Sequence, residues 1–141
     1  MKDSETDEIY ETLCSRIGDS ESSNWTEYTT EIVAKTVLAD FKDDQWHRLE
    51  KEILSKPEFW QQRCAAAMGE DRTEHSIRIL KLLLSNSSYI DVKIISIYEL
   101  DWAEVNIEKK YAPFIREVME KIPSDEIEPE LTRLLAKAES A

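Results

Sequence analysis

The 141-residue chain has two glycines, four prolines, two cysteines and two histidines. No apolar stretch in it approaches the ~20 residues needed to cross a bilayer. All-β folds spend glycine and proline on many turns, so their scarcity argues for helices. The set Cys14, Cys64, His47 and His75 has neither CxxC nor HxxxH spacing, so no metal centre is expected. Glycine-rich phosphate loops and GxSxG are missing too, which leaves no catalytic signature and no cofactor to name. The start, "MKDSETDEIYE", lacks the basic and apolar regions of a signal peptide. Both cysteines fall inside helical patterns, where they read as small buried hydrophobes in a reducing compartment. The expected location is the cytoplasm.

What the chain does have is acid. Thirty acidic residues stand against 18 basic ones, a formal net charge of −12. Nucleic-acid binders carry a basic surface that displaces counterions from phosphate, and anionic membranes select for the same sign. Neither partner is expected here. A basic protein partner is, since a strong negative field steers one toward the surface. With 41% hydrophobic residues the chain can build a core, and its length is that of a single domain.

Periodicity predicts six to eight short helices. The first spans 4–17, with Ser4 and Asp7 as a capping box and Gly18 as its stop. The second spans 25–39, with Tyr28, Ile32, Val33 and Val37 facing inward. The third spans 43–55 and buries Trp46, Leu49, Ile53 and Leu54. The fourth runs from Pro57 to Met68, and the fifth from 74 to 85 behind the N-cap Thr73. The sixth spans 89–100, opened by Ser88 with Asp91, and the seventh 112–121. The eighth begins near Ile127 or Pro129 and ends at about 139.

"RCAAAMGEDRTEHSIRILKLLL" places an arginine, a run of small residues and Met-Gly ahead of an acidic turn and an aliphatic helix. In that order it resembles a HEAT repeat. Arg63, Ala66, Ala67, Met68 and Gly69 take the first helix, and Ile77, Leu80, Leu83 and Leu84 the second. A weaker copy follows, from Asp91-Val92-Lys93 to Phe114, Ile115, Val118 and Met119, with Ile97 and Tyr98 where small residues are usual. The resemblance implies an all-α, short α-solenoid of antiparallel helix hairpins. Residues 1–55 would form irregular N-terminal helices, 57–122 two HEAT-like hairpins, and 124–139 a C-terminal capping helix. It also implies a scaffold for binding proteins or peptides and no reaction. In length, acidity and architecture the chain is similar by type to small bacterial immunity proteins that block a cognate toxin.

Two patches combine aromatic and acidic residues. Tyr98, Glu99, Asp101, Trp102 and Glu104 lie where the second copy is interrupted, and an enlarged turn is where binding chemistry can be added without disturbing a stack. Trp25, Glu27 and Tyr28 lie in the first 31 residues, whose nine acids against Lys2 and Arg16 carry −7 of the net −12. Aromatic anchors beside acids suit a basic interface. The plain alternative is that Trp25 and Trp102 cover their own helices. Cys64 and His75 could form a nucleophilic pair across a hairpin, but Cys64 sits on an inward stripe and reads as packing. Arg72, Arg78, Lys81, Lys109, Lys110, Arg116 and Lys121 make a basic stripe of the kind a HEAT-like nucleic-acid-processing enzyme would need, or else a solvated helix face. The expected function is non-catalytic: an inhibitor that occludes a basic, nuclease-type toxin domain. A peptide-binding adaptor with a concave groove stands second, and the nucleic-acid enzyme third.

Overall fold

The computed structural model describes residues 4–18, 20 and 25–141, and for residues 4–7 the backbone alone. The Ser4–Asp7 capping box and loop residues 19 and 21–24 therefore lie outside the described residues. The rest is all-α, with eight α-helices and no strand among the described residues: α1 (Ser4–Ile17), α2 (Glu27–Ile32), α3 (Asp43–Glu52), α4 (Glu58–Asp71), α5 (Glu74–Asn86), α6 (Ile90–Trp102), α7 (Ala112–Glu120) and α8 (Pro129–Glu139).

The helix expected over 25–39 forms as one run that changes pitch. It is α-helical to Ile32, π-helical over Val33–Val37 and 3-10 over Leu38–Asp40. Thr26 caps it, its hydroxyl accepting from the Thr29 N–H at 3.3 Å. The inner face is Thr30, Val33, Ala34, Val37 and Leu38. Tyr28 lies two residues, or about 200°, around the helix from Thr30. It therefore points outward, 71% exposed, and does not face the core as its apolar neighbours do. The stripe of α3 holds at Trp46, Leu49 and Ile53, but Leu54 is exposed, because the helix tightens into a 3-10 turn over Ile53–Ser55.

α4 does not stop at Met68. It continues through Gly69 to Asp71 and ends where Arg72 turns into the left-handed region, φ 55°. The Arg72 N–H donates to the Met68 carbonyl at 2.9 Å and its Nε to the Gly69 carbonyl at 2.7 Å, satisfying two carbonyls at the helix end. α5 opens on Thr73 as expected, the hydroxyl accepting from the Ser76 N–H. The Ser88–Asp91 box at the start of α6 does not form. Tyr89 occupies the cap position without a side-chain bond, and its own N–H donates to Ser87 Oγ at 3.2 Å.

α6 is the central element and packs extensively on α4, α5 and α8, more on α8 than on α7. Its sequence, "IDVKIISIYELDW", is apolar nearly all round, as a helix with neighbours on several sides must be. α4 is also enclosed on more than one side, burying Trp60, Gln61, Cys64, Ala65, Ala67, Met68 and Gly69. Small side chains at four of those positions let neighbouring helices come close. Buried Gln61 donates to the carbonyl oxygens of Lys56 (2.9 Å) and Leu54 (3.3 Å) and accepts from Ser87 Oγ (2.7 Å). One amide thus joins the turn before α4 to the turn before α6. Arg63 reaches the Ile17 carbonyl at the end of α1 at 2.6 Å and lies over the rings of Trp25 and Phe59. The N-terminal helices are tied further by Tyr10, whose hydroxyl donates to Glu52 at 2.9 Å beneath the Arg48 guanidinium.

Ala67 is fully buried, whereas Ala66 is only half-buried. Ala67→Leu should overpack the core and cost about 1–3 kcal/mol. Ala66→Leu should change stability by less than about 1 kcal/mol. Thermal melts of the two variants check this pair, and equal losses would mean that the α4 faces are misassigned.

Candidate acidic groove

The two patches picked out from the sequence are about seventy residues apart, and the fold brings them together. α2 lies along α4, and α4 along α6. Glu27, Thr30 and Glu31 from α2, Ala66, Glu70 and Arg72 at the end of α4, and Glu99 and Trp102 from α6 line one open groove of about 560 Å³. Four carboxylates face the Arg72 guanidinium, and one of them, Glu31, is paired with Lys35 at 2.7 Å. Trp102 stands at its edge, 48% exposed, and Tyr28 is exposed on the same short helix as Glu27 and Glu31. Of the expected residues, Glu27, Glu99 and Trp102 meet here.

The others are placed differently. Trp25 is half-buried, packed against the core and beneath Arg63. Asp101 accepts from Arg133 of α8 and is nearly enclosed by that pairing. Tyr98 stacks on Trp102 with ring centroids 5.6 Å apart, and its hydroxyl donates to Glu128. That hydrogen bond, with burial and the nearby negative charges, holds the phenol up at about 12. Trp102 Nε1 donates to Glu130 at 3.2 Å, so the indole edge is pinned to α8 while the residue stays half-exposed. Glu104 is exposed and adopts φ 55°, closing the turn that follows α6. It lines a second, smaller hollow with Asp101, Trp102, Arg133 and Lys137.

Glu99 is the unusual member. An ideal Cβ on Gly69 would lie 1.8 Å from Glu99 Oε1 and 2.3 Å from its Cδ, so the carboxyl rests in the space left by the missing side chain. Burial there pushes its pKa up to about 7, with Glu70 adding to the rise and Arg72 opposing it. The end of α4 contributes in the same sense, because a helix C-terminus presents the negative end of its dipole. Glu31, Glu70 and Arg72 were not selected from the sequence as binding residues. Glu70 reads there as a helix-turn acid and Arg72 as part of a basic stripe. The available signal was Gly69, since a glycine inside a helical pattern marks close approach by another group.

Three of the seven residues of the basic stripe are paired with acids within the molecule. Arg78 lies 3.6 Å from Glu50, Lys81 2.9 Å from Glu108, and Arg116 3.0 Å from Glu139. Cys64 is fully buried among apolar neighbours, which raises its pKa, while His75 stacks on Trp46 and lies 3.6 Å from Asp43. Among the described residues no three His, Cys, Asp or Glu side chains converge as a metal site, and no helix is long and apolar enough to cross a membrane.

Because the Glu99 carboxyl ionises later in the folded chain than in the unfolded one, its effect on stability depends on pH. Below about pH 4.5 it is neutral in both states and contributes nothing. As pH rises toward 7 the unfolded chain ionises first and the fold loses stability, and above 7 the full cost is present. Glu99→Gln should therefore stabilise the protein at pH 8, by about 1 kcal/mol once partial solvent access is allowed for, and should have little such effect at pH 4. Denaturation curves at the two pH values check the sign, and an identical change at both would refute it. Compared with known proteins, the chain matches no family model, no curated protein and no solved structure.

Proposed function

We propose that the chain is a non-catalytic protein-binding module whose acidic groove receives a basic partner. The observation that carries this reading is the convergence of Glu27, Glu31, Glu70 and Glu99 on one concavity beside the half-exposed Trp102. Carboxylates next to an indole face are the surroundings in which a lysine or arginine side chain is held by both ion pairing and a cation–π contact. The net charge of −12 adds long-range steering of such a partner.

The specific form we favour is an immunity or inhibitor protein that neutralises a nuclease-type toxin domain. A nuclease must display a cationic surface to hold its phosphate backbone. An acidic groove with an aromatic edge is complementary to that surface and would occlude it. The internal pairing of Arg78, Lys81 and Arg116 weighs against the reading as a nucleic-acid-processing enzyme. A peptide-binding adaptor differs from the favoured reading in its partner and would use the same groove.

Immobilised protein should retain a basic protein from native-host extract, and that protein's nuclease activity should fall to background at equimolar inhibitor. Against the purified partner, Trp102→Ala should cost on the order of 2 kcal/mol, or about thirtyfold in affinity. Glu27→Lys with Glu31→Lys should slow association, most strongly at low salt, where charge steering is least screened. Calorimetry and stopped flow measure both effects, with thermal melts confirming that the fold survives. Wild-type affinity and on-rate in both variants would place the interface outside this groove.

A further inference from the structure

We propose that Glu99, seated over Gly69, couples the groove to protons: a cationic side chain of the partner enters as the Glu99 carboxyl gives up its proton to solvent. The proposal rests on the reading of the groove as a docking surface for a basic partner and adds a means of regulating it.

The geometry brings together three conditions. First, the carboxyl lies against the α4 backbone, in space that any Cβ at position 69 would occupy. Second, charges of both signs surround it. α4 presents Arg72, which favours the carboxylate, and Glu70, which opposes it, while α2 presents Glu27 and Glu31 across the groove, Glu31 being paired with Lys35 at 2.7 Å. α5 and α8 also pack on α6 but contribute no groove-lining side chain, and Asp101 of α6 itself is turned to Arg133. Third, the carboxyl is half-buried, and among the described residues no donor makes a hydrogen bond or ion pair to it, so only water reaches its oxygens. A proton is the economical way to neutralise an acid so placed, and its pKa of about 7 agrees. A lysine or arginine entering the groove would add a second positive charge to that of Arg72 and stabilise the carboxylate in place of the proton. The groove would then bind more tightly at pH 8 than at pH 5.5, and binding at pH 7 would release a fraction of a proton. Gly69 is what makes this possible. An alanine there would force the flexible end of Glu99 out toward water while the helix, which favours alanine over glycine, would stay intact.

Carboxyl 13C NMR on the free protein, with Glu99→Gln supplying the assignment, should show Glu99 titrating near pH 7 in wild type and in the ordinary carboxylate range in Gly69→Ala. A hexa-arginine peptide serves as the cationic probe, with the Trp102 indole N–H resonance reporting occupancy of the groove. Wild type should bind the probe about tenfold more tightly at pH 8 than at pH 5.5, which corresponds to a fall of about one unit in the Glu99 midpoint on binding. Gly69→Ala and Glu99→Gln should lose that dependence. Calorimetry at pH 7 in two buffers of different ionisation enthalpy should register proton release in wild type alone. An ordinary carboxylate midpoint for Glu99 in the free protein overturns the proposal. So does probe affinity that is equal at the two pH values, which leaves the docking groove standing. An unmoved Trp102 resonance at pH 8 overturns the docking reading and the coupling with it.

Discussion

The packing of α6 against the small-residue face of α4 is the contact on which the rest of the architecture depends. α6 carries apolar residues on nearly every side and holds α4, α5 and α8 around it. α4 accepts it closely because its buried positions include Cys64, Ala65, Ala67 and Gly69. At Gly69 the approach is so tight that a side chain of α6 fills the volume of an absent Cβ. Glycine inside a helix costs roughly 1 kcal/mol relative to alanine. That cost is consistent with a backbone that must leave room for a neighbouring group. The same contact positions Glu99 and Trp102 at the end of α6 opposite Glu27 and Glu31 of α2, so the core and the groove share one cause.

Charge is distributed to the same effect. Several basic residues are engaged by acids from other elements: Arg78 by Glu50, Lys81 by Glu108, Arg116 by Glu139 and Arg133 by Asp101. Exposed pairs of this kind add little to stability. They do engage some of the cations, and a chain of net charge −12 keeps an excess of acid. Part of that excess is gathered where α2, α4 and α6 meet. Arg72, the one guanidinium in the groove, has its Nε committed to the Gly69 carbonyl as it closes α4.

The C-terminal end of α6 serves two purposes. Asp101 and Trp102 reach α8 through Arg133 and Glu130, and Tyr98 reaches Glu128, the N-cap residue of that helix. They dock the last helix onto the core, and the Tyr98–Trp102 stack holds the indole in one orientation. An aromatic side chain already immobilised by such contacts loses little freedom on meeting a partner, which is the main cost of recruiting a surface residue. The acids of this turn divide accordingly. Asp101 works inside the molecule, while Glu99 faces the groove.

Most of the helical architecture was legible in the sequence. The 3.6-residue stripes of Leu80, Leu83 and Leu84, the Thr73 cap and the stops at Gly18 and Pro123 act over one or two turns, and local chemistry suffices for them. Tyr28 and Leu54 were misread because a change of helix pitch, or a two-residue offset around the axis, turns an apolar residue outward, and composition does not record it. The candidate site was legible only in halves. Glu27 with Tyr28 and Glu99 with Trp102 stood out as acids beside aromatics, but nothing local says that residues 27 and 102 share a groove. That follows from α4 lying between α2 and α6, and hence from long-range packing of side chains far apart in the chain. The same holds for Glu99. Its sequence neighbours make it one acid among thirty, and only burial against Gly69 raises its proton affinity above that of an ordinary carboxylate. Local sequence determines which segments become helices and which faces are apolar. The meeting of charges from different helices, and their removal from water, is decided when those helices pack.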